Sequence, residues 1–226
     1  MANVSLIIGE SGTGKSTSIH KLDPKETFII NIIDKPLPFR GYRENYKKLS
    51  SDGATGNYYA SDSYSSLVRV IRLINAKRPD IKTLIIDDFQ YVMCNEFMRR
   101  AKETGFGKFT EIGHNAWSIA NELIACRDSL DCFVLSHSEY DSQGYSKCKT
   151  IGKMLDEKIT FEGMFTLVLH TLVVERKYMF LTDNDGLRIA KSPMGLFDSL
   201  YIDNDLQMVK ERLAEYYGNH DHGEAA

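Results

Sequence analysis

The run Val4-Ser5-Leu6-Ile7-Ile8 leads directly into GESGTGKS at residues 9–16, and no other stretch restricts the fold as strongly. A short apolar run that stops at clustered glycines reads as a buried strand ending in a tight turn, with a helix to follow. The octapeptide matches G-x-x-x-x-G-K-[ST] in full, a turn whose backbone N–H groups point inward and can cradle phosphates. The positive end of the following helix is expected to add to the same spot. Gly9, Glu10, Ser11, Gly12, Thr13, Gly14, Lys15, Ser16 and Thr17 are therefore the expected nucleotide-binding residues. Lys15 is expected to reach the β- and γ-phosphates, and the Ser16 hydroxyl to ligate Mg²⁺ in preference to Thr17.

Two further apolar runs end in acids. Phe28-Ile29-Ile30-Asn31-Ile32-Ile33-Asp34 suits a parallel strand covered on both faces. Thr83-Leu84-Ile85-Ile86-Asp87-Asp88 has the form of a Walker B strand. There Asp87 would hold Mg²⁺, and Asp88 would orient or deprotonate an attacking water. Asp34 competes with Asp88 for the part of general base. The run Asp131-Cys132-Phe133-Val134-Leu135-Ser136-His137 is a further buried strand, and either Ser136 or His137 could sense a γ-phosphate.

With 226 residues, 42% hydrophobic and 26% charged, the chain reads as one α/β domain over 1–217, followed by a loose tail at 218–226. Residues 39–60 read as a long surface excursion. Helices are expected from Ser61 to Asn75, from about Lys108 to Leu130, and from Asp205 to Tyr217. Strand-like segments at 165–170 and 178–181 suggest antiparallel hairpins that extend a mostly parallel sheet, with a tight turn at 183–186. Residues 187–193 read as a strand carrying Arg188 and Lys191 on one face, either reaching a neighbouring subunit's γ-phosphate or blunting a sheet edge. Cys94, Cys126, Cys132 and Cys148 lack metal or disulfide spacing and read as reduced, mostly buried thiols. No apolar run is long enough to span a bilayer, and a cytoplasmic location is expected.

A net charge of -3 leaves no overall basic footprint, so contacts to nucleic acid would have to be local. One candidate patch mixes Arg99, Arg100 and Lys108 with Phe97, Phe106 and Phe109. A second places Lys147, Lys149 and Lys153 among Tyr140 and Tyr145 in a polar stretch at 139–158 that reads as mobile.

Taken together, GESGTGKS, IIDDF, FVLSHSE, the Lys-rich loop and RIAKSP resemble the compact RecA-like ATPases of bacteriophages, some of them described as AAA-type ATP-binding proteins. The resemblance implies a P-loop NTPase fold, Mg²⁺-dependent ATP hydrolysis, and work on single-stranded DNA in recombination or replication. It further implies a single-strand annealing or single-strand-binding protein as partner, and assembly into a homo-oligomer. Lys15, Ser16 and Asp87 carry over to its motifs most directly; Asp88, His137 and Lys191 carry over less directly. A RecA-type glutamate is absent from the end of the Phe28 to Asp34 strand, where Asp34 stands instead. Two other classes remain open: a small-molecule kinase of nucleotide type, and a nucleotide-dependent protein-binding module with little turnover.

Overall fold

The structure is a computed structural model that describes residues 2–152 and 154–218, apart from the side chains of 154, 156 and 157. Lys153 and all but the first residue of the expected tail lie outside the described residues.

Four apolar runs become adjacent parallel strands: β1 (Val4–Gly9), β2 (Thr27–Asn31), β4 (Thr83–Asp87) and β5 (Asp131–Tyr140), with β3 (Tyr58–Ala60) on the outer side of β2. Beyond β1 come β7 (Leu167–Val174), parallel to it, then β8 (Lys177–Leu181) and β9 (Tyr201–Asp203), both antiparallel to their neighbours. The sheet order is β3-β2-β4-β5-β1-β7-β8-β9, and β6 (Ser146–Cys148) pairs with the far end of β5. The chain is thus α/β, with a mostly parallel mixed sheet flanked by helices and an antiparallel extension near its C-terminal end.

Continuous apolar runs are needed because both faces of these strands are covered. Leu6, Ile8, Phe28, Ile30, Leu84, Ile86, Cys132 and Val134 face one core. It is closed by α2 (Tyr64–Lys77), α3 (Gln90–Arg99) and α4 (Gly107–Ile124), through side chains such as Leu67, Ile71, Ile112 and Ile119. The alternate residues Ile7, Ile29, Ile85, Phe133 and Leu135 face a second core, shared with Ile19, Leu22 and α5 (Leu206–Tyr217). Each such fully buried aliphatic or aromatic side chain contributes about 1.5–3 kcal/mol of transfer free energy.

Several expectations need correction. The segment after GESGTGKS is a six-residue 3₁₀ helix, Ser16–Lys21, so little helix dipole is aimed at the loop. Its Ser and Thr residues are weak helix formers, and Pro24 follows closely. The hairpin turn lies at Glu175 and Arg176, both with positive φ (48° and 66°), and joins β7 to β8. Residues 183–186 turn within the long connection from β8 to β9, where Asn184 Oδ1 and Asp185 Oδ1 accept from the N–H groups of Gly186 and Leu187, rather than closing a tight hairpin. Residues 187–193 form only isolated bridges, Arg188 with Ser146 and Lys191 with Val168. A spacing of three in extended chain also puts Arg188 and Lys191 on opposite faces. Part of the polar stretch is ordered as a β5–β6 hairpin, where Asp141 Oδ1 accepts from the N–H groups of Gln143 and Tyr145. The surface excursion contains the one-turn helix α1 (Tyr42–Asn45) as well as β3. The helix expected to reach Leu130 stops at Ile124. Of the four free cysteines, Cys126, Cys132 and Cys148 are buried and Cys94 is partly so. Among the described residues, no helix is long and apolar enough to cross a membrane.

Candidate functional site

β1 delivers the glycine-rich loop at its carboxyl end, between β5 and β7. A Cβ on Gly9 would come within 2.0 Å of Thr171 Oγ1 and 2.9 Å of the Thr171 carbonyl, so the loop leaves the sheet where only glycine fits. Gly14 combines a φ of +100° with the Tyr178 ring, which would lie 2.9 Å from an added Cβ. Thr13 Oγ1 contacts Thr171 Oγ1 at 2.5 Å and donates to Glu10 O at 2.8 Å, pinning the loop to β7. Among the described residues, the backbone N–H groups of Gly12, Thr13 and Gly14 meet no acceptor. A loop held in this way with donors to spare is suited to anions.

The charged centre lies beneath it. Lys15 is buried, and its Nζ donates to the carbonyls of Gly9 (2.8 Å) and Glu10 (2.7 Å). Burial lowers its ammonium to about 8, against the upward pull of Asp88 and Asp87. Ser16 Oγ donates to Asp87 Oδ1 at 2.9 Å, joining the loop to the carboxyl end of β4. Asp87 is fully buried, and its Oδ2 has no hydrogen-bond partner among the described residues. Burial, and then the neighbouring Asp88, raise its carboxyl above the ordinary range.

Asp88 has a left-handed backbone (φ 64°) and a side chain that is only 1% exposed. Its Oδ2 pairs with Lys35 Nζ, and His137 Nε2 stands 3.6 Å from Oδ1. Burial pushes the carboxyl up, but His137 and Lys35 more than offset this and hold it below its usual value. His137 is set at the end of the buried part of β5 by its N–H bond to Gln90 Oε1 (3.2 Å) and an edge contact with the Tyr91 ring. Lys35 is placed through its carbonyl, which accepts from Asn31 Nδ2 at 2.8 Å.

Lys15, Ser16, Lys35 and His137 border one cavity of about 240 Å³, walled also by the rest of the loop from Ser11 to Thr17, by Pro36 and Pro38 and by Tyr178, with Asp87 and Asp88 buried behind this lining. Lys35, Tyr178 and Thr171 escaped the sequence reading. Lys35 follows Asp34 in an acid-ended run, which offered a faint signal, whereas Tyr178 and Thr171 offered none.

The remaining candidates are placed elsewhere. Asp34 is exposed, accepts from Tyr58 OH at 2.9 Å, and lines a neighbouring cavity instead. Ser136 is fully buried at the level of Ile8 in the sheet. Arg188 is tied to Asp185 at 2.7 Å, and Lys191 is exposed. In the first basic patch, Arg99 pairs with Asp62, while Arg100 pairs with Glu96, Glu103 and Glu111. Lys108 donates to the carbonyls of Arg100 and Glu103 and lies over the rings of Phe97 and Phe109. In the second patch, Lys147 stands opposite Glu139 in the β5–β6 ladder and Lys149 is exposed.

The donor set also fits a hard divalent cation. Mg²⁺ takes oxygen ligands and commonly only one or two carboxylates. The Ser16 hydroxyl and Asp87, with its unpartnered Oδ2, supply those oxygens. No protein-family model matches this chain, and no curated protein is significantly similar to it.

Proposed function

We propose that the chain is a RecA-like P-loop NTPase that binds Mg·ATP through the glycine-rich loop and hydrolyses it. The observation that carries this reading is the Ser16 Oγ to Asp87 Oδ1 hydrogen bond at 2.9 Å. It brings together the two residues expected as metal ligands from positions 71 residues apart in the sequence. The strand order adds support, because β5 lies between β1 and β4 and brings His137 to the same mouth as Asp88.

In this reading the N–H groups of Gly12, Thr13 and Gly14 hold phosphate oxygens. Lys15 leaves two neutral carbonyls for the anionic β- and γ-oxygens, a stronger pairing in a buried setting. With its ammonium near 8, Lys15 is mostly protonated at neutral pH. Ser16 and Asp87 hold Mg²⁺, which supplies charge neutralisation on the phosphates. Water attacks the γ-phosphorus in line, the bond to the β-γ bridging oxygen breaks, and ADP and phosphate leave. Asp88, held ionised by Lys35 and His137, acts as a poor proton acceptor but a firm hydrogen-bond acceptor, so it orients the water. Preference for adenine, coupling to single-stranded DNA, a single-strand annealing or single-strand-binding partner, and homo-oligomeric assembly belong to the same proposal. They are supported by the resemblance of its motifs.

The test is Mg²⁺-dependent phosphate release from ATP, with and without single-stranded DNA or hydroxyl acceptors. Stimulation by DNA supports the ATPase reading. Phosphorylated acceptor would make the chain a kinase, and tight ATP binding without turnover would make it a binding module.

A further inference from the structure

On the far side of Lys35 from the glycine-rich loop, the segment between β2 and β3 walls a second cavity of about 420 Å³, within the size range of small-molecule sites. Its charge is unlike that of the chain as a whole, which is -3. Lys35, Arg43, Lys47 and Lys48 line it against one acid, Asp34, whose Oδ1 already accepts from Tyr58 OH. Among the described residues, no carboxylate pairs with Arg43, Lys47 or Lys48. Arg43 Nε donates to Tyr42 OH (2.9 Å), and Lys47 Nζ donates to the Arg43 carbonyl (3.0 Å), both neutral acceptors. By contrast, Arg99 and Arg100 are paired with acids.

The walls between these cations are aromatic. Tyr46 and Tyr58 are buried, and Tyr42 is half-buried with the Phe39 ring at its edge (6.4 Å). The segment is also held before any ligand arrives: Asn57 Oδ1 accepts from Lys47 N at 2.8 Å, while its Nδ2 donates to Pro24 O and Asn45 O. Exposed cations beside a fixed ring are the ingredients of phosphate pairing plus base stacking. Lys35 and Pro36 line both cavities, and Lys35 is the partner of Asp88.

We propose that this cavity binds a nucleotide unit, with its phosphate on Arg43, Lys47 and Lys48 and its base on Tyr42, and that the bound phosphate draws Lys35 away from Asp88. The ligand is either a free nucleoside monophosphate or one link of a single strand. Only the effect on Asp88 rests on the Mg·ATP reading; binding does not.

The test uses the full chain without ATP. It measures anisotropy of a labelled oligothymidylate over a salt series, with free thymidine 5′-monophosphate as competitor. The combined Arg43→Ala, Lys47→Ala, Lys48→Ala variant should weaken binding about tenfold or more and flatten the salt dependence by about three charges. Lys15→Ala should bind within about twofold of wild type. Competition by free monophosphate at equal nucleotide concentration marks the mononucleotide as ligand, and its absence marks the strand. Wild type binding neither probe, the triple variant binding as wild type does, or Lys15→Ala losing as much as the triple variant would each overturn the site. With ATP present, the triple variant should keep the phosphate release seen without ligand and lose the change in release that the ligand causes in wild type. Ligand that leaves wild-type release unchanged overturns the link to Asp88. A chain that binds oligothymidylate but not ATP would refute the Mg·ATP reading alone.

Discussion

Lys15, Asp87 and Asp88 are buried around the glycine-rich loop, held by two backbone carbonyls, by the Ser16 hydroxyl and by Lys35 respectively, whereas Arg43, Lys47 and Lys48 are exposed around the second cavity with no carboxylate partner among the described residues. The first centre is anchored by β1, β4 and β5, and by the fit of Gly9 against Thr171. The second is carried by a loop that side-chain bonds of Asn57 hold in shape. Buried charge in a sheet-backed site costs the fold stability, and in the proposed reading it serves chemistry. Exposed charge on a loop costs the fold little and is suited to reversible binding.

Lys15→Ala gives the largest effect expected from this contrast. Phosphate release should fall by about two to three orders of magnitude, while oligothymidylate binding persists. Steady-state kinetics and anisotropy on the same preparation check it, and parallel loss of both would erase the distinction between the cavities.

The sheet behind the loop should reveal its buried character through pH. Burial lowers His170 from 6.5 to about 4, and its ring Nε2 meets Ser146 Oγ at 2.9 Å. Between those values the unfolded chain binds the proton and the folded chain does not, so stability rises with pH. Stability present above 6.5 should be lost towards pH 4, by on the order of 2–3 kcal/mol, and His170→Asn should flatten that slope in urea titrations.

Gly9→Ala should cost about 1–3 kcal/mol in denaturant unfolding, because the added methyl meets the Thr171 side chain and backbone. Asp87→Asn should abolish Mg²⁺-dependent nucleotide binding and yet raise the Tm of the metal-free chain by about 2–4 °C, since it removes a buried carboxylate whose ionisation is disfavoured. The smallest effect belongs to the second cavity. Removing Arg43, Lys47 and Lys48 together should shift unfolding free energy by about 0.5 kcal/mol or less. A large loss would show that these cations serve the fold rather than a ligand.

The same contrast explains what the sequence disclosed. The loop, Asp87 and Asp88 were legible because strand hydrophobicity and motif chemistry occupy contiguous residues. The second cavity was not, since Lys35, Tyr42, Arg43, Lys48 and Tyr58 fall in a stretch without periodicity and meet only through the return of β3 beside β2. Arg99, Arg100 and Lys108 looked like a basic surface, but Glu96 one turn back in α3, Glu103 in the turn that follows and Glu111 from α4 all close on Arg100 once the segment folds. The Glu175-Arg176 turn carried none of the usual Asn-Gly chemistry, and the strain of two positive φ angles is borne by the β7–β8 ladder. Asp34 and Asp88 both end apolar runs, but only Asp88 turns inward, beneath Lys35 and His137.

Calorimetric titration of ATP into the wild-type chain and into Lys15→Ala, with and without Mg²⁺, tests the central claim most directly. The account predicts saturable, Mg²⁺-dependent binding at one site that is lost in Lys15→Ala while its Tm stays close to wild type. A wild-type chain that takes up no ATP, or a Lys15→Ala chain that binds it as tightly, would contradict it.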